Sequence, residues 1–249
     1  IKCLENQGVE YVFGYPGGAA IPIFDAIYDS KKLKLILVRH EQAATHMADG
    51  YARATGEVGV VLATSGPGAT NCITGIATAY MDSIPMVVLS GQVPTSLIGD
   101  DAFQETDIVG CSRPVVKHSF NCRSAEEIPA ILAKAFYIAK SGRPGPVLID
   151  ITKNAQFDEF EFSYKKCTGV RSYTPVPKPD PKALEAAADL INASKKPMIV
   201  WGQGVILGKA EEELKALVEK AGIPAAWTIM GASAIDTDHP LNVGMVGMH

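Results

Sequence analysis

Five segments place acidic, polar or glycine-rich residues directly after short apolar runs, and these are where chemistry can sit. In Val38-Arg39-His40-Glu41-Gln42-Ala43-Ala44, Glu41 follows one run and opens a helical pattern. An acid in a first helical turn complements the helix dipole and needs no other role. Its followers Ala43, Ala44 and Met47 are apolar, however. Apolar surroundings favour the neutral form of a carboxyl group, which suits proton exchange with a bound ring. His40 reads as structural and His46 as a residue of the helix surface.

Gly14-Tyr15-Pro16-Gly17-Gly18-Ala19 joins a second run to a helix. Adjacent glycines let a ligand approach the backbone and leave amides free at a helix start, although a bare turn explains them as well. Thr64-Ser65-Gly66-Pro67-Gly68-Ala69-Thr70-Asn71 is another glycine-rich strand-to-helix loop. It has no Lys-Ser/Thr and so is not a P-loop; an anion cradle and a plain turn stand level. Ser90-Gly91-Gln92-Val93-Pro94-Thr95 runs into a long polar loop that sets Phe103 beside Gln104. Loops of that length are functional or disordered. Asp100 and Asp101 within it are adjacent and point apart, which disfavours a metal pair. Arg143, in a glycine- and proline-rich turn, and Lys153, after the next run, are each compatible with a plain surface charge.

The elements that must position these residues follow from hydrophobic patterning. Nearly continuous apolar runs at 11–13, 35–38, 58–63, 85–89, 115–118 and 146–151 read as strands buried on both faces. Helical patterns at 19–29, 41–54, 69–80 and 125–140 alternate with them. Repeated strand–helix–strand units predict an α/β fold, a parallel sheet flanked by helices, with ligands outside the carboxyl ends of the strands. Four prolines between 174 and 181 mark a stiff connector. A second pattern then begins: helix 182–193, strand 197–201, glycine turn 202–204, helix 209–220 and strand 223–228. We therefore divide the chain into a domain at 1–155, a linker at 156–178, and the start of a second, Rossmann-like α/β domain at 179–249.

Composition narrows the function classes. The 249 residues carry 23 Lys+Arg against 27 Asp+Glu, a net charge of −4, which argues against holding nucleic acid by its phosphates. No apolar stretch approaches the roughly 18 residues that would span a bilayer. Five widely spaced cysteines without a CxxC pair fit reduced thiols in a cytosol-like compartment and give no zinc signature. The chain reads as part of a longer polypeptide.

Taken together, FGYPGGA, RHEQAA.HMADGYARATG, TSGPGATN, SGQVPTS.IG.DAFQE.D and SGRPGPV, in this order and spacing, resemble the large catalytic subunits of the acetohydroxyacid synthase (acetolactate synthase) family. These are thiamine-diphosphate enzymes. The resemblance is specific from about residue 8 to 150 and weaker at 197–204 and 228–249. It implies that 1–155 is a pyrimidine-binding domain and that 179–249 begins a central domain holding FAD. The domain for magnesium and diphosphate, with its GDG motif, would lie beyond 249, so no metal ligand is expected here.

The resemblance also assigns residues. Glu41 would hydrogen-bond the pyrimidine nitrogen of thiamine diphosphate and favour the imino tautomer of the neighbouring amine, the base for the thiazolium carbon. Gln104 and Lys153 would join it as catalytic residues. Tyr15, Gly17, Gly18, Pro67 and Asn71 would contact the cofactor; for the TSGPGATN loop this replaces the phosphate reading with an aminopyrimidine one. Arg143, Gly202, Gly204, Thr228, Met230, Gly247, Met248 and His249 would contact FAD. Ala19, Pro94 and Phe103 would line the substrate and inhibitor channel. Two residues depart from the family pattern: Gln203 interrupts a run of glycines, and Asn154 stands where an acid is common.

The implied activity is decarboxylation of pyruvate and transfer of the resulting two-carbon unit to pyruvate or 2-ketobutyrate. The products are 2-acetolactate or 2-aceto-2-hydroxybutyrate, in branched-chain amino-acid synthesis. Implied partners are a second copy of the chain, since the family's site forms between subunits, and a regulatory small subunit; the bacterial cytoplasm is the expected location. The competing readings are a sister thiamine-diphosphate enzyme (glyoxylate carboligase, pyruvate oxidase, sulfoacetaldehyde acetyltransferase) and a non-catalytic nucleotide- or flavin-binding module.

Overall fold

A computed structural model describes residues 1–247, which form two units, one over Ile1–Pro177 and one that begins at Lys178. In the first unit the strands are β1 (Tyr11–Gly14), β2 (Lys34–Leu37), β3 (Gly59–Ala63), β4 (Met86–Gln92), β5 (His118–Cys122) and β6 (Pro146–Thr152). They form one sheet in the order β2-β1-β3-β4-β6-β5, and every pairing is parallel. The helices are α1 (Lys2–Asn6), α2 (Ile21–Tyr28), α3 (Glu41–Thr55), α4 (Pro67–Asn71), α5 (Ile73–Met81), α6 (Ile108–Ser112), α7 (Ile128–Lys140) and α8 (Lys153–Phe157).

Alternation along the central strands builds two cores. Val60, Leu62, Val87, Leu89, Val147 and Ile149 join residues of α1, α2 and α7 on one face. Val61, Ala63, Met86, Val88 and Leu148 join residues of α3, α5 and α6 on the other. A strand packed on both sides has no solvent face, which is why β3, β4 and β6 read as unbroken apolar runs. The order reverses at β1, with β2 on one side and β3 on the other, so the loops after β1 and β3 flank the crevice where such sheets bind ligands.

Three expectations are corrected. The strand expected at 115–118 begins only at His118 and runs to Cys122, because Pro114 opens a 3-10 turn over Arg113–Val115 and the true strand is a half-buried edge without an apolar run. The helix expected at 69–80 is two helices, α4 and α5. At Cys72 the backbone N–H bonds to Ala69 O, three residues back, and the carbonyl of Gly68 takes the thiol instead. The long polar loop after β4, expected to be functional or disordered, is ordered: the carboxylate of Glu105 accepts from the backbone N–H groups of Gly99 and Ala102, which lower its pKa.

Residues past α8 have almost no regular structure, yet they are tied to the first unit. Tyr164 accepts from the side chain of Gln7. Lys117 donates to the carbonyls of Ile138 and Ser141 at the carboxyl end of α7 and to the hydroxyl of Tyr173. Gly142, at φ +60°, leaves room for Pro175, whose carbonyl oxygen would lie 2.7 Å from an added Cβ.

The second unit holds α9 (Pro181–Ala193), β7 (Ile199–Trp201), α10 (Gln203–Leu207), α11 (Glu211–Ala221), β8 (Ala225–Trp227) and β9 (Asn242–Met245), with its strands parallel in the order β7-β8-β9. Asp180 caps α9 through the backbone N–H of Lys182, at 3.0 Å. Gly222, in the left-handed region, ends α11. The glycine turn expected at 202–204 is shorter: Gly202 alone is extended, and Gln203 and Gly204 already belong to α10. β9 was not foreseen, because its bulged register and Gly244 at φ +100° break the strand pattern.

Candidate functional site

Because every strand of the first sheet is parallel, the loops after β1, β2, β3, β4 and β6 emerge at one end. Four of the five candidate segments lie there. Glu41 is the first residue of α3, only 7% exposed, and the preceding His40 caps the helix by accepting the N–H of Gln42 on Nδ1 at 3.2 Å. His46 is exposed, as is Met47, whereas Ala44 is fully buried.

Asn71, at the last turn of α4, donates from Nδ2 to Glu41 Oε2 at 3.0 Å. Oε1 accepts no hydrogen bond from the described residues. It lies beside Gly68, where an added Cβ would come within 3.2 Å of it. One carboxyl oxygen is thus fixed and the other left open, in a place kept clear by a glycine.

Thr64 organises the rest. Its Oγ1 accepts the backbone N–H of Ala19 at 3.1 Å, tying the β3 loop to the β1 loop across the reversal point. Gly17 and Gly68 close on it from two sides: an added Cβ at either would lie 2.5 Å or 2.6 Å from the Thr64 methyl. Gly66, at φ +57°, must be glycine on two counts, since an added Cβ would also stand 2.7 Å from the carbonyl oxygen of Gln104. Sequence reasoning quoted Thr64 only as part of a loop; its place between the two glycine pairs was the available signal.

Beside this lies a cleft of about 240 Å³ lined by Gly18, Ala19, Ser65, Val93, Pro94, Leu97, Ala102, Phe103, Gln104 and Lys153. It gathers six of the expected residues from three loops, those after β1, β4 and β6. Phe103 is 88% exposed at its rim, and Gln104 is held at φ +57°. Asn154 braces one wall: Oδ1 accepts both the N–H and hydroxyl of Thr95, at 3.0 and 2.8 Å, and Nδ2 donates to Arg123 O at 2.9 Å. An acid here would accept from Thr95 but could not donate to Arg123.

Other expected residues lie elsewhere. Tyr15 and Pro67 are exposed and do not line the cleft. Arg143 precedes β6 and so sits at the opposite end of the sheet from Glu41, donating to Ser83 Oγ at 2.6 Å and to Met81 O at 3.2 Å. In the second unit Gly202 and Thr228 meet after β7 and β8: Thr228 N donates to Trp201 O at 3.0 Å, and a Cβ on Gly202 would lie 3.0 Å from Thr228 Oγ1. Met230 stands in the 3-10 turn just beyond. Gly204 is inside α10, and Gly247 is exposed after β9. Met248 and His249 lie outside the described residues. Among the described residues no three His, Cys, Asp or Glu side chains converge as a metal site, and no helix is long and apolar enough to cross a membrane.

Comparison with known proteins fits this geometry. Residues 1–111 match the N-terminal TPP-binding domain of thiamine pyrophosphate enzymes, and residues 184–249 match their central domain. The chain is 53% identical, over its full length, to the acetolactate synthase large subunit of Buchnera aphidicola subsp. Schizaphis graminum and to the acetolactate synthase isozyme 3 large subunit of Escherichia coli K12, covering 44% of each. It is 52% identical to the probable acetolactate synthase large subunit of Methanocaldococcus jannaschii, covering 42% of that protein. The chain therefore spans less than half the length of these relatives.

Proposed function

The chain belongs to the thiamine pyrophosphate enzymes, as a homologue of acetolactate synthase large subunits, and we propose that the protein it represents is an acetolactate synthase. It would decarboxylate pyruvate and join the two-carbon unit to a second 2-keto acid, pyruvate or 2-ketobutyrate, in branched-chain amino-acid synthesis. The observation that carries the reading is the Glu41–Asn71 pair, with its open carboxyl oxygen beside Gly68. A carboxyl group so placed can exchange a proton with a ring nitrogen, and Asn71 keeps its second oxygen from turning away.

We read residues 1–155 as the pyrimidine-binding domain, 156–178 as a linker and 179–249 as part of a central FAD domain. Thiamine diphosphate, when bound, supplies the electron sink for decarboxylation. Glu41 and Asn71 would hold its pyrimidine, with Tyr15, Gly17, Gly18 and Pro67 nearby. Gln104 and Lys153 would face the substrate, the lysine offering a cation to a 2-keto acid carboxylate. Ala19, Pro94 and Phe103 would form the entrance. Gly202, Gly204, Thr228, Met230 and Gly247 would serve FAD. Arg143 would do so from the end of the sheet away from Glu41, and Gln203→Gly should change flavin content little. Magnesium would be held by residues outside this span. A second copy of the chain and a small regulatory subunit are the proposed partners, in the cytoplasm.

The test uses the full natural chain with pyruvate, thiamine diphosphate, magnesium and FAD, reading acetolactate after acid conversion to acetoin. Acetolactate that falls when 2-ketobutyrate competes supports the proposal. Carbon dioxide or peroxide without acetolactate moves the protein to a sister enzyme. Cofactor binding without turnover leaves a binding module.

A further inference from the structure

Asp150 is the most completely enclosed acid among the described residues, at 1% exposure, and the proposed chemistry does not use it. It lies on β6 opposite Ser90 of β4 and Asn121 of β5. Three donors converge on it: Ser90 Oγ on Oδ1 at 2.8 Å, and Gln92 Nε2 and Asn121 Nδ2 on Oδ2 at 3.0 and 3.2 Å. Burial pushes the carboxyl up to about 6, against the pull of these donors, and Asp107 adds to the push. Arg123 approaches only through Asn121, whose Oδ1 accepts its Nε at 2.7 Å.

Gln92 carries this network to the cleft. Its Nε2 also donates to Thr106 O at 2.9 Å, and its Oε1 accepts the N–H of Val93 at 2.9 Å. Val93 begins one wall of the cleft, and Thr106 follows the turn that carries the other, Ala102, Phe103 and Gln104. An amide can turn either way unless its partners differ in kind. Val93 N can only donate and Thr106 O can only accept, so they set which way the Gln92 amide faces, and the carboxylate of Asp150 is a third anchor that agrees with them. That orientation alone satisfies Val93 N and Thr106 O together.

We propose that Asp150 is a positioning residue for the cleft, holding both walls by anchoring Gln92, the side chain that ties them together. Its meaning for substrate rests on the function proposed above, whereas its structural test does not. Asp150→Ala removes the acceptor. Asp150→Asn can still accept from Gln92 and Asn121 on its oxygen and donate to Ser90, so it keeps Gln92 anchored.

The experiment is amide hydrogen exchange on the full chain, without substrate, comparing peptides over residues 93–106 with those over β3. For Asp150→Ala we expect exchange over 93–106 to rise about tenfold, as for one lost hydrogen bond to a charged group, with β3 unchanged and Asp150→Asn within about twofold of the parent. If Asp150→Ala does not fold, Gln92→Leu leaves the acid its other two donors and must loosen the same segment. Unchanged exchange over 93–106, or an equal rise across β3, overturns the proposal. If the protein makes acetolactate, Asp150→Ala should raise KM for the 2-keto acid about tenfold while kcat stays within about threefold; a fall in kcat alone overturns it.

Discussion

Replacing Gly68 by alanine tests whether Thr64 is the wedge between the two glycine loops. The added Cβ would lie 2.6 Å from Thr64 Cγ2, 3.2 Å from Glu41 Oε1 and 3.6 Å from Thr64 Cβ. Only the first distance is a true clash, so one methyl group carries the penalty. Overpacking of this kind costs about 1–3 kcal/mol, and a shift of 1 kcal/mol moves the Tm of a domain of this size by about 2–4 °C. Thr64→Ser removes that methyl, keeps the hydroxyl for Ala19 N, and by itself loses about 1 kcal/mol of buried apolar surface. The double variant should then be no less stable than Thr64→Ser alone, a coupling equal to the whole Gly68→Ala cost of about 1–3 kcal/mol. Gly17→Ala is the control. Its Cβ would meet Thr64 Cβ at 2.6 Å and Oγ1 at 2.8 Å as well as the methyl, so Thr64→Ser should not rescue it. The measurement is thermal unfolding of the full chain carrying each single and each double variant. Additive losses in the Gly68 pair, or equal rescue in the Gly17 pair, would refute the wedge.

Other outcomes follow from the same contacts. Glu41→Gln can still accept from Asn71, so thermal unfolding should shift by less than about 1 kcal/mol, while turnover falls by about 10²–10⁴. The carboxyl of Asp150 lies at about 6 against an ordinary 3.8, from burial first; its contribution to stability is therefore full below about pH 4 and lost as pH rises through about 6, roughly 3 kcal/mol in all. Urea titrations across that range should show Asp150→Asn removing this slope. Asp107 and Cys122 stand close, and the Cys122 thiol, pushed up to about 12 by burial, adds nothing in that window. Asn154→Asp should cost only about 0.5–1.5 kcal/mol, since water can replace the donor that the exposed Arg123 O loses, and Asn154→Ala should cost no less, both read by unfolding.

What the sequence discloses and what it hides have physical causes. Strands buried on both faces declare themselves, so β1, β3, β4 and β6 lie within a few residues of their expected places. Edge strands are less regular: β2 and β7 keep enough apolar residues to be found, although β2 is not buried on both faces, whereas β5 is mixed polar and apolar behind Pro114, and β9 carries a glycine in the left-handed region. The cleft was legible because parallel strands bring their following loops to one end, so choosing loops by type also chose neighbours in space. Its supports were not. Asp150 stands out in Pro146–Thr152 only as a lone acid in an apolar strand, and Gln92 as one polar residue among several. Which donors face them depends on strand register, and register is a property of the folded sheet. The assignment of Arg143 drew on the resemblance, and its hydrogen bonds to Met81 and Ser83 carried no sequence signal.

The ties of Tyr164, Tyr173 and Pro175 also govern how the first unit should be cut from its chain. A fragment ended at the last helix of that unit would take Tyr164 from Gln7, Tyr173 from Lys117 and Ser141, and Pro175 from beside Gly142, leaving Lys117 alone to cover the carboxyl end of α7. One ended at Pro177 keeps the whole belt. An irregular stretch that looks dispensable on a domain map is, for anyone expressing this unit alone, the difference between a sealed edge and a frayed one.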